Sequence, residues 1–456
     1  MQKLQKKIGV LGLGHVGLPT CLGLAKHGHE VLGSDIDSRV IASLTDGEPT
    51  FYENGVKDLL KETLNSGTFK PVPDIKTVIE ECDVIFTCVG TPQSEDGSAD
   101  LTQLEEVIKM VDLYAKSDKL IVQKSTVPVC TAQNLQSKMT KNKKGRFVEI
   151  AANPEFLREG TGLHDFLNPD RIVIGVTSEN ARDTLVNVYS PLLRNLSERP
   201  GEQSISFTHE KFLIVNPNTA EIIKHASNSF LATKLSFINC VADICEATGA
   251  DVLEVSRGIG MDPRIGSQYM QAGLGYGGHC LPKDTQAFVH TGEKYGVDMS
   301  LINSVISINN QRINRVLNIL RKKFGDISNR RVTVWGLSFK PDTDDVRDSM
   351  SISLVRGLID NKCRITLHDP LAIESFKTIF PEHENPLLEY QSDIHKSAKD
   401  SDALIIATNW NTYKDTDFKI IRNMMSVKFI LDTRNLLNPE KMKEMQFEYY
   451  GTGRGT

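Results

Sequence analysis

No stretch of the 456-residue chain reaches the roughly 18 consecutive apolar residues that a membrane-spanning helix needs, so neither a membrane span nor a membrane partner is expected. The opening Met-Gln-Lys-Leu-Gln-Lys-Lys also lacks the apolar stretch and small-residue cleavage site of a secretory signal. Charge of one sign is not in excess. A net charge of −5 and an isoelectric point near 6.2 give no whole-chain reason to bind nucleic acid, and anionic ligands would have to be met by local clusters of Lys and Arg. None of the eight cysteines, at positions 21, 82, 88, 130, 240, 245, 280 and 363, forms a C-x-x-C pair. That argues against a zinc site, or any other metal centre, and against a disulfide framework; it favours a reducing, cytoplasmic setting.

With 39% hydrophobic and 24% charged residues the composition is that of a globular protein, and the length calls for two or three domains. Residues 1 to about 200 alternate β-branched runs with helical patterns: strands at Lys7–Leu11, Glu30–Ser34, Asp83–Val89 and Leu120–Lys124, and a helix at Val16–His27. Strands separated by helix-length segments indicate βαβ units and a parallel sheet. From Pro217 to Asn310 the strand signal nearly vanishes, and Thr219–Thr248 reads as one long helix. A helix of that length suggests a bridge between domains; it would also suit a dimer surface, although burial within one chain explains it almost as well. From Arg330 the βα pattern returns, with strands at Val332–Leu337, Ile365–His368, Ala403–Ala407 and Lys428–Leu431, and it echoes the first half: each begins with a strand, a glycine and a helix, followed by a strand ending in Asp35 or Asp369. The expected architecture is α/β. Two Rossmann-like doubly wound domains, over 1–200 and 311–456, flank a helical and dimerising segment over 201–310.

Gly12, Gly14 and Gly17 form G-x-G-x-x-G between a strand and a helix. The first glycine permits the tight turn, the second lets a pyrophosphate approach, and the third lets helix and strand pack closely. Asp35 follows about twenty residues on, where a carboxylate can accept hydrogen bonds from ribose hydroxyls and would repel the extra phosphate of NADP. Arg39 nearby pulls the other way, because an arginine can bind a 2′-phosphate. NAD is the favoured cofactor. The second half lacks the glycine triplet and is expected to hold a different ligand.

The most informative stretch runs from Gly273 to Asp284: four glycines within six residues, then Cys280, Lys283 and Asp284. The glycines let backbone press against a ligand, and nearby positive charge favours the reactive thiolate. Most cysteines are inert buried residues, but the loop and its charges point to a nucleophile here. Glu221, Lys224 and Asn228 fall on one face of the long helix, where a lysine and an amide could bind an oxyanion or simply form a solvated polar face. The segments 124–128, 153–160 and 339–347 carry further polar groups at strand ends, the edge of an open α/β sheet where ligands bind.

Taken in order, the segments GLGHVGLP (12–19), VGTPQSEDGSADL (89–101), KSTVPV (124–129), NPEFLREG (153–160), PDRIVIG (169–175), ASNSFLATKLSFIN (226–239), GIGMDPRIG (258–266), GYGGHCLPKD (275–284) and FKPDTDDVRDS (339–349) resemble the UDP-glucose/GDP-mannose dehydrogenase family over nearly the whole chain. The resemblance is strongest to the branch acting on UDP-glucose. It implies two successive NAD-dependent oxidations at C6 of a nucleotide sugar, alcohol to aldehyde to acid. Cys280 would capture the aldehyde as a thiohemiacetal and then carry a thioester that water hydrolyses. Lys224 and Asn228 would stabilise the oxyanions, Asp284 would assist Lys224 or the water, and Thr126 and Glu155 would handle water and base work near C6. The resemblance further implies a cofactor set of Gly12, Gly14, Val16, Gly17, Asp35, Arg39, Thr91, Thr126, Glu159, Lys283 and Arg347. The implied substrate set is Glu155, Phe156, Leu157, Lys224, Asn228, Arg264, Tyr276, Gly277, Phe339, Lys340 and Arg434, with Arg264 reaching across the interface of a homodimer or larger homo-oligomer.

Two positions depart from the pattern. His279 stands where the UDP-glucose branch usually has Ser and where the UDP-N-acetylhexosamine branch has His, while Asn228-Ser-Phe-Leu-Ala-Thr-Lys follows the UDP-glucose branch; a UDP-N-acetylhexosamine or GDP-mannose 6-dehydrogenase is the alternative. Cys130 replaces a usual Gly and reads as a neutral packing change. Two other classes compete: a two-electron β-hydroxyacid dehydrogenase, which lacks a cysteine loop and a second βα half, and a catalytically silent sugar-nucleotide-binding regulator.

Overall fold

The computed structural model describes residues 7–94, 97–139, 143–197 and 211–454. They fall into two compact units, one ending at Ser227 and the next beginning at Asn228.

The first unit is built on an eight-stranded sheet: β1 (Lys7–Leu11), β2 (Glu30–Ser34), β3 (Phe69–Pro71), β4 (Val84–Thr87), β5 (Lys119–Gln123), β6 (Val148–Ala152), β7 (Ile172–Gly175) and β8 (Phe212–Val215). Their spatial order is β3-β2-β1-β4-β5-β6-β7-β8. All neighbours run parallel except β6 and β7, which meet antiparallel at Ala152 and Gly175. The order reverses between β1 and β4, and the crevice at such a switch point is where doubly wound sheets bind ligands. Strands covered on both faces are apolar throughout, and β4, β5 and β6 are buried along their whole length. Helix α1 (Gly17–Lys26) is apolar nearly all round for the same reason: every residue from Gly17 to Ala25 is buried.

The second unit carries a six-stranded, wholly parallel sheet: β9 (Arg331–Trp335), β10 (Arg364–His368), β11 (Leu388–Tyr390), β12 (Ala403–Ile406), β13 (Phe429–Asp432) and β14 (Glu448–Gly451), ordered β11-β10-β9-β12-β13-β14. Apolar clusters fill both its faces. Leu354, Val355 and Leu358 belong to one, while the other is centred on Trp335, whose ring stacks on Tyr413 at 5.0 Å and whose indole N–H donates to Ser397 Oγ at 2.7 Å. The α/β class and the two doubly wound sheets expected from the strand pattern are therefore present. β4 and β9 each end two residues earlier than the apolar runs suggested, because Cys88 and Gly336 already belong to the turns leaving the sheet.

Among the described residues no strand lies between β8 and β9. Helix α2 (Pro217–Thr248, 32 residues) starts two residues before the expected Thr219, with Pro217 at its first position, where a missing N–H costs nothing. The unit boundary falls inside it. In the second unit α3 (Leu281–Lys294) and α4 (Ser300–Phe324) follow. Among the described residues no helix is long and apolar enough to cross a membrane.

Candidate active site

The glycine turn of the first unit fits a dinucleotide for reasons visible atom by atom. Gly12 sits at φ +88°, and a Cβ there would lie 2.7 Å from the Cys88 carbonyl oxygen. A Cβ on Gly17 would lie 1.7 Å from the carbonyl oxygen of Gly12, so α1 can meet the turn only through glycine. Gly14 differs. A Cβ on it would meet nothing within 4 Å, so no protein neighbour demands glycine there, and its bare backbone faces open space at the N-terminus of α1, as approach by a pyrophosphate requires. Asp35, half-buried after β2, accepts the Leu13 N–H at 2.7 Å and the Asp37 N–H at 2.9 Å, which holds the turn and leaves acceptor capacity on both oxygens. Arg39 is exposed and grips Asp37 through Nε and Nη2. Val16 is the N-cap residue of α1, and Glu159 lies 3.6 Å from His15, whose ring stacks on Phe51 at 4.2 Å. Thr91 ties two strand-end loops by donating to the Thr126 carbonyl at 2.7 Å.

On the same unit the ends of β5 and β6 face α2. Lys224 Nζ donates to Glu155 Oε1 at 2.8 Å, and both residues are buried. Glu155 Oε2 in turn accepts the Leu157 N–H at 2.5 Å. The Phe156 ring lies between two cations, with Arg171 over it at 3.8 Å and Lys224 Nζ 5.6 Å from its centre. Glu221, three residues before Lys224, accepts the Ala132 N–H at 2.8 Å and a Gln123 amide hydrogen at 3.3 Å. Burial nevertheless pushes its carboxyl up to about 7, against the lowering effect of those donors and the N–H groups of Cys130 and Thr131.

In the second unit the glycine loop is packed from both sides. Asn309 of α4 accepts the Tyr276 N–H at 2.8 Å and donates to its carbonyl at 3.0 Å. A Cβ on Gly277 would lie 2.3 Å from the Asp348 carbonyl oxygen, and one on Gly278 would lie 2.6 Å from the Phe339 ring. The glycines thus serve close approach to the 339–349 segment. Cys280 is half-buried at the N-cap of α3, where the helix N-terminus favours negative charge. Asp284 is buried and divides its oxygens: Oδ2 accepts from Asn228 Nδ2 at 2.6 Å, and Oδ1 from Lys283 Nζ at 2.6 Å. Burial, followed by the charges of Arg347 and Lys283, pushes His279 down to about 4, so its ring is neutral at ordinary pH.

The remaining expected residues have definite settings. Arg347 is exposed and chelates Asp345, and Lys340 Nζ lies 5.7 Å from the centre of the Phe339 ring. Arg434, after β13, donates from Nε to the Ala407 carbonyl at 2.6 Å and makes no ion pair among the described residues; burial pushes its guanidinium down to about 10. Arg264 is exposed and pairs only with Asp262 among the described residues of its unit. Asp369, the counterpart of Asp35, is buried and saturated: Oδ2 accepts from Leu337, Ser338 and the Trp410 indole, and Oδ1 from the N–H groups of Leu371 and Ala372. Each of its oxygens thus accepts from at least two donors of its own unit, where each oxygen of Asp35 accepts from one among the described residues.

Three family models match in sequence: the UDP-glucose/GDP-mannose dehydrogenase NAD-binding domain over residues 6–193, the central domain over 218–311, and the UDP-binding domain over 333–439. A UDP-glucose 6-dehydrogenase of Bacillus subtilis is 36% identical over 450 residues, covering 98% of this chain and 93% of its own. The chain belongs to this family. A UDP-glucose dehydrogenase structure from Pyrobaculum islandicum superposes with a TM-score of 0.88 at 34% identity, covering 100% of this chain and 99% of the other. A UDP-D-ManNAc dehydrogenase from Pyrococcus horikoshii superposes with a TM-score of 0.82 at 27% identity, covering 98% and 99%. NAD is the cofactor of the N-terminal domain, and the open side of Gly14 and the half-buried Asp35 are the features that suit it.

Against the UDP-glucose/GDP-mannose dehydrogenase pattern, one expectation needs correcting. Cys130 is not a neutral packing change: its φ is +71°, the left-handed region that favours glycine, at the N-cap of the helix Thr131–Lys138. Replacing it by glycine should stabilise the protein by about 1 kcal/mol, read as a higher urea midpoint with an unchanged slope. Glu221 was noticed in the sequence only as part of a polar helix face; its partners lie far away along the chain. Because its folded-state value is raised, the folded protein holds a proton that the unfolded chain releases near the ordinary 4.5. That stability is full below pH 4.5 and lost as pH rises through about 7. Relative to Glu221→Gln, the wild type should therefore lose about 2 to 3 kcal/mol between pH 4.5 and 8; a constant difference between the two urea curves across that range would contradict it.

Proposed function

We propose that the chain oxidises UDP-glucose to UDP-glucuronate in two successive hydride transfers at C6, with Cys280 as the covalent nucleophile. The observation that carries this is the setting of Cys280: half-buried, at a helix N-terminus, in a loop that closes only through glycine, with Lys283 and the Asn228–Asp284 pair beside it in sequence and structure. Relatives named as UDP-glucose 6-dehydrogenases that align over 98% of the chain support the choice of sugar.

NAD, when bound, accepts the hydride in each oxidation. Gly12, Gly14, Val16 and Gly17 would cradle its pyrophosphate and Asp35 its ribose, with Arg39, Thr91, Thr126, Glu159, Lys283 and Arg347 as further contacts. The C6 hydroxyl gives up its proton as the first hydride leaves, with Glu155 or its water as acceptor. The Cys280 sulfur then adds to the aldehyde carbon. Lys224 and Asn228 donate to the oxygen that becomes an alkoxide, which is the interaction that counts for rate because the charge appears only then. Loss of the second hydride leaves a thioester. Water, held by Thr126 and assisted by Asp284, cleaves the carbon–sulfur bond to give the carboxylate and regenerate the thiolate. Phe156, Leu157, Tyr276, Gly277, Phe339, Lys340 and Arg434 would line the nucleotide-sugar site. Arg434 is a cation suited to an anionic ligand, since it is already desolvated and makes no ion pair among the described residues.

A second reading, a UDP-N-acetylhexosamine dehydrogenase of the same chemistry, is favoured by one residue, His279 before the nucleophile. An NADH-production panel of UDP-glucose, UDP-N-acetylglucosamine, UDP-N-acetylmannosamine and GDP-mannose separates them. The expected result is two NADH per UDP-glucose, with net oxidation to acid abolished in Cys280→Ala; turnover of an acetylated sugar alone would overturn the choice of sugar, and one NADH with free aldehyde would overturn the mechanism.

We further propose a homodimer through α2, within a three-part chain divided near residues 200 and 310. Phe230, Phe237 and Ile244 recur every seventh residue, hence on one stripe, and are 65%, 54% and 63% exposed. Arg264 would reach the partner's substrate from this region. Light scattering at micromolar concentration should give twice the chain mass for the wild type and the single mass for Phe230→Glu/Phe237→Glu; a monomeric wild type would remove the proposal. The absence of any C-x-x-C pair among the eight cysteines supports a cytoplasmic setting, where the uronic acid would serve polysaccharide synthesis.

A further inference from the structure

Helix α2 grips the turn after β5 at two points, one on each side of Lys224 in sequence. Glu221 receives the Ala132 N–H at 2.8 Å. One helical turn further on, buried His225 lies 2.7 Å from the Val127 carbonyl through Nε2. A carbonyl can only accept, so Nε2 carries the proton. Residue 127 is thereby fixed by one side chain and residue 132 by the other. Thr126, next to Val127, is tied from the opposite side, because its own carbonyl accepts from Thr91 Oγ1 and the preceding Ser125 Oγ donates to the Val89 carbonyl at 2.7 Å.

Glu221 also looks inward. Its Oε2 is buried with no hydrogen-bond partner among the described residues, and Glu221, Ser125, Thr126 and Lys224 line one cavity that leaves about 10 Å³ for the centre of a water molecule. That is the scale of a single-water site, and an unpaired buried carboxylate oxygen is the group that one water would satisfy. The clamp and the cavity therefore converge on the same two residues, Thr126 and Lys224.

We propose that Glu221 and His225 are positioning residues, a two-point clamp from α2 that sets the Thr126 turn against Lys224 for the oxidation chemistry. The inference rests on the function proposed above, but not on the identity of the sugar. Whichever nucleotide sugar the wild type turns over in the panel is used for every variant, so a wrong choice of sugar leaves the test intact.

Glu221→Ala and His225→Leu should each lower kcat by about 10- to 100-fold, as misplacement of a catalytic group by about 1 Å does, while KM for NAD and for the sugar stays within about threefold. Glu221→Gln keeps the acceptor oxygen and His225→Gln keeps a donor near the Nε2 position, and both should restore kcat to within about threefold of the wild type. Glu221→Asp keeps the charge but withdraws it by one methylene, and should lose about tenfold in kcat even if the alanine variant does not fold. An unchanged kcat in Glu221→Asp, or glutamine variants no better than Ala and Leu, would overturn the clamp.

Discussion

The ammonium of Lys224 is buried and held by the Glu155 carboxylate at 2.8 Å, and the side chains at the ends of β5 and β6 are arranged about that pair. A buried ion whose partner is removed costs about 3 to 5 kcal/mol, whereas the intact pair contributes little to stability by itself. Its value lies in preorganisation. Glu155 is in turn fixed by the Leu157 N–H, and Phe156 between them is capped by Arg171. The second unit applies the same rule with the roles reversed: the buried charge is the Asp284 carboxylate, and an amide and an ammonium, from Asn228 and Lys283, satisfy it. Each unit thus carries a polar group of α2 oriented by a buried carboxylate, the kind of preorganisation that the proposed roles of Lys224 and Asn228 would call on.

Both sheets are variations on one plan, and the variation explains their different ligands. Gly12 and Gly336 each leave the first strand at positive φ, each is followed by a leucine whose N–H is taken by an aspartate after the second strand, and each backs onto the loop that leaves the fourth strand, at Cys88 or Thr408. In the first unit Asp35 retains acceptor capacity, and Gly14 and Gly17 clear the approach. In the second, Trp410 and the N–H groups of Leu371 and Ala372 consume the aspartate, while Arg434 brings a cation to the same sheet edge. A single fold frame therefore yields an anion-cradling backbone turn in one half and a guanidinium in the other.

What the sequence disclosed is what depends on local spacing. The glycine triplet, Asp35 and the apolar strands are short-range patterns with few alternatives, and β1 and β2 lie where their runs of Ile, Val and Leu begin and end. The cysteine loop was legible because glycine is costly unless something presses close, and Asp348 and Phe339 do. The clamp was not legible. Glu221 and Ala132 are 89 residues apart and His225 and Val127 are 98 apart, and a Glu and a His four apart on a helix are ordinarily just a polar face. The strain at Cys130 was not legible for a different reason: a backbone angle leaves no mark on composition, and the glycine usual at that position was the one sign of a left-handed turn.

The eight thiols differ in environment, and those differences bear on the proposed role of Cys280. Burial pushes Cys82 and Cys88 up to about 12 and raises Cys21, Cys245 and Cys363 as well, which leaves a negligible thiolate fraction at neutral pH. Cys240 is raised by burial and by the neighbouring Asp243. Cys130 is engaged in a strained turn whose neighbours in sequence carry no charge. Cys280 alone combines partial exposure, a helix N-terminus, a nearby lysine and a loop shaped for close approach. Its neighbour His279 is held neutral by burial and by the charges of Arg347 and Lys283, so the imidazole adds no positive charge beside that helix N-terminus.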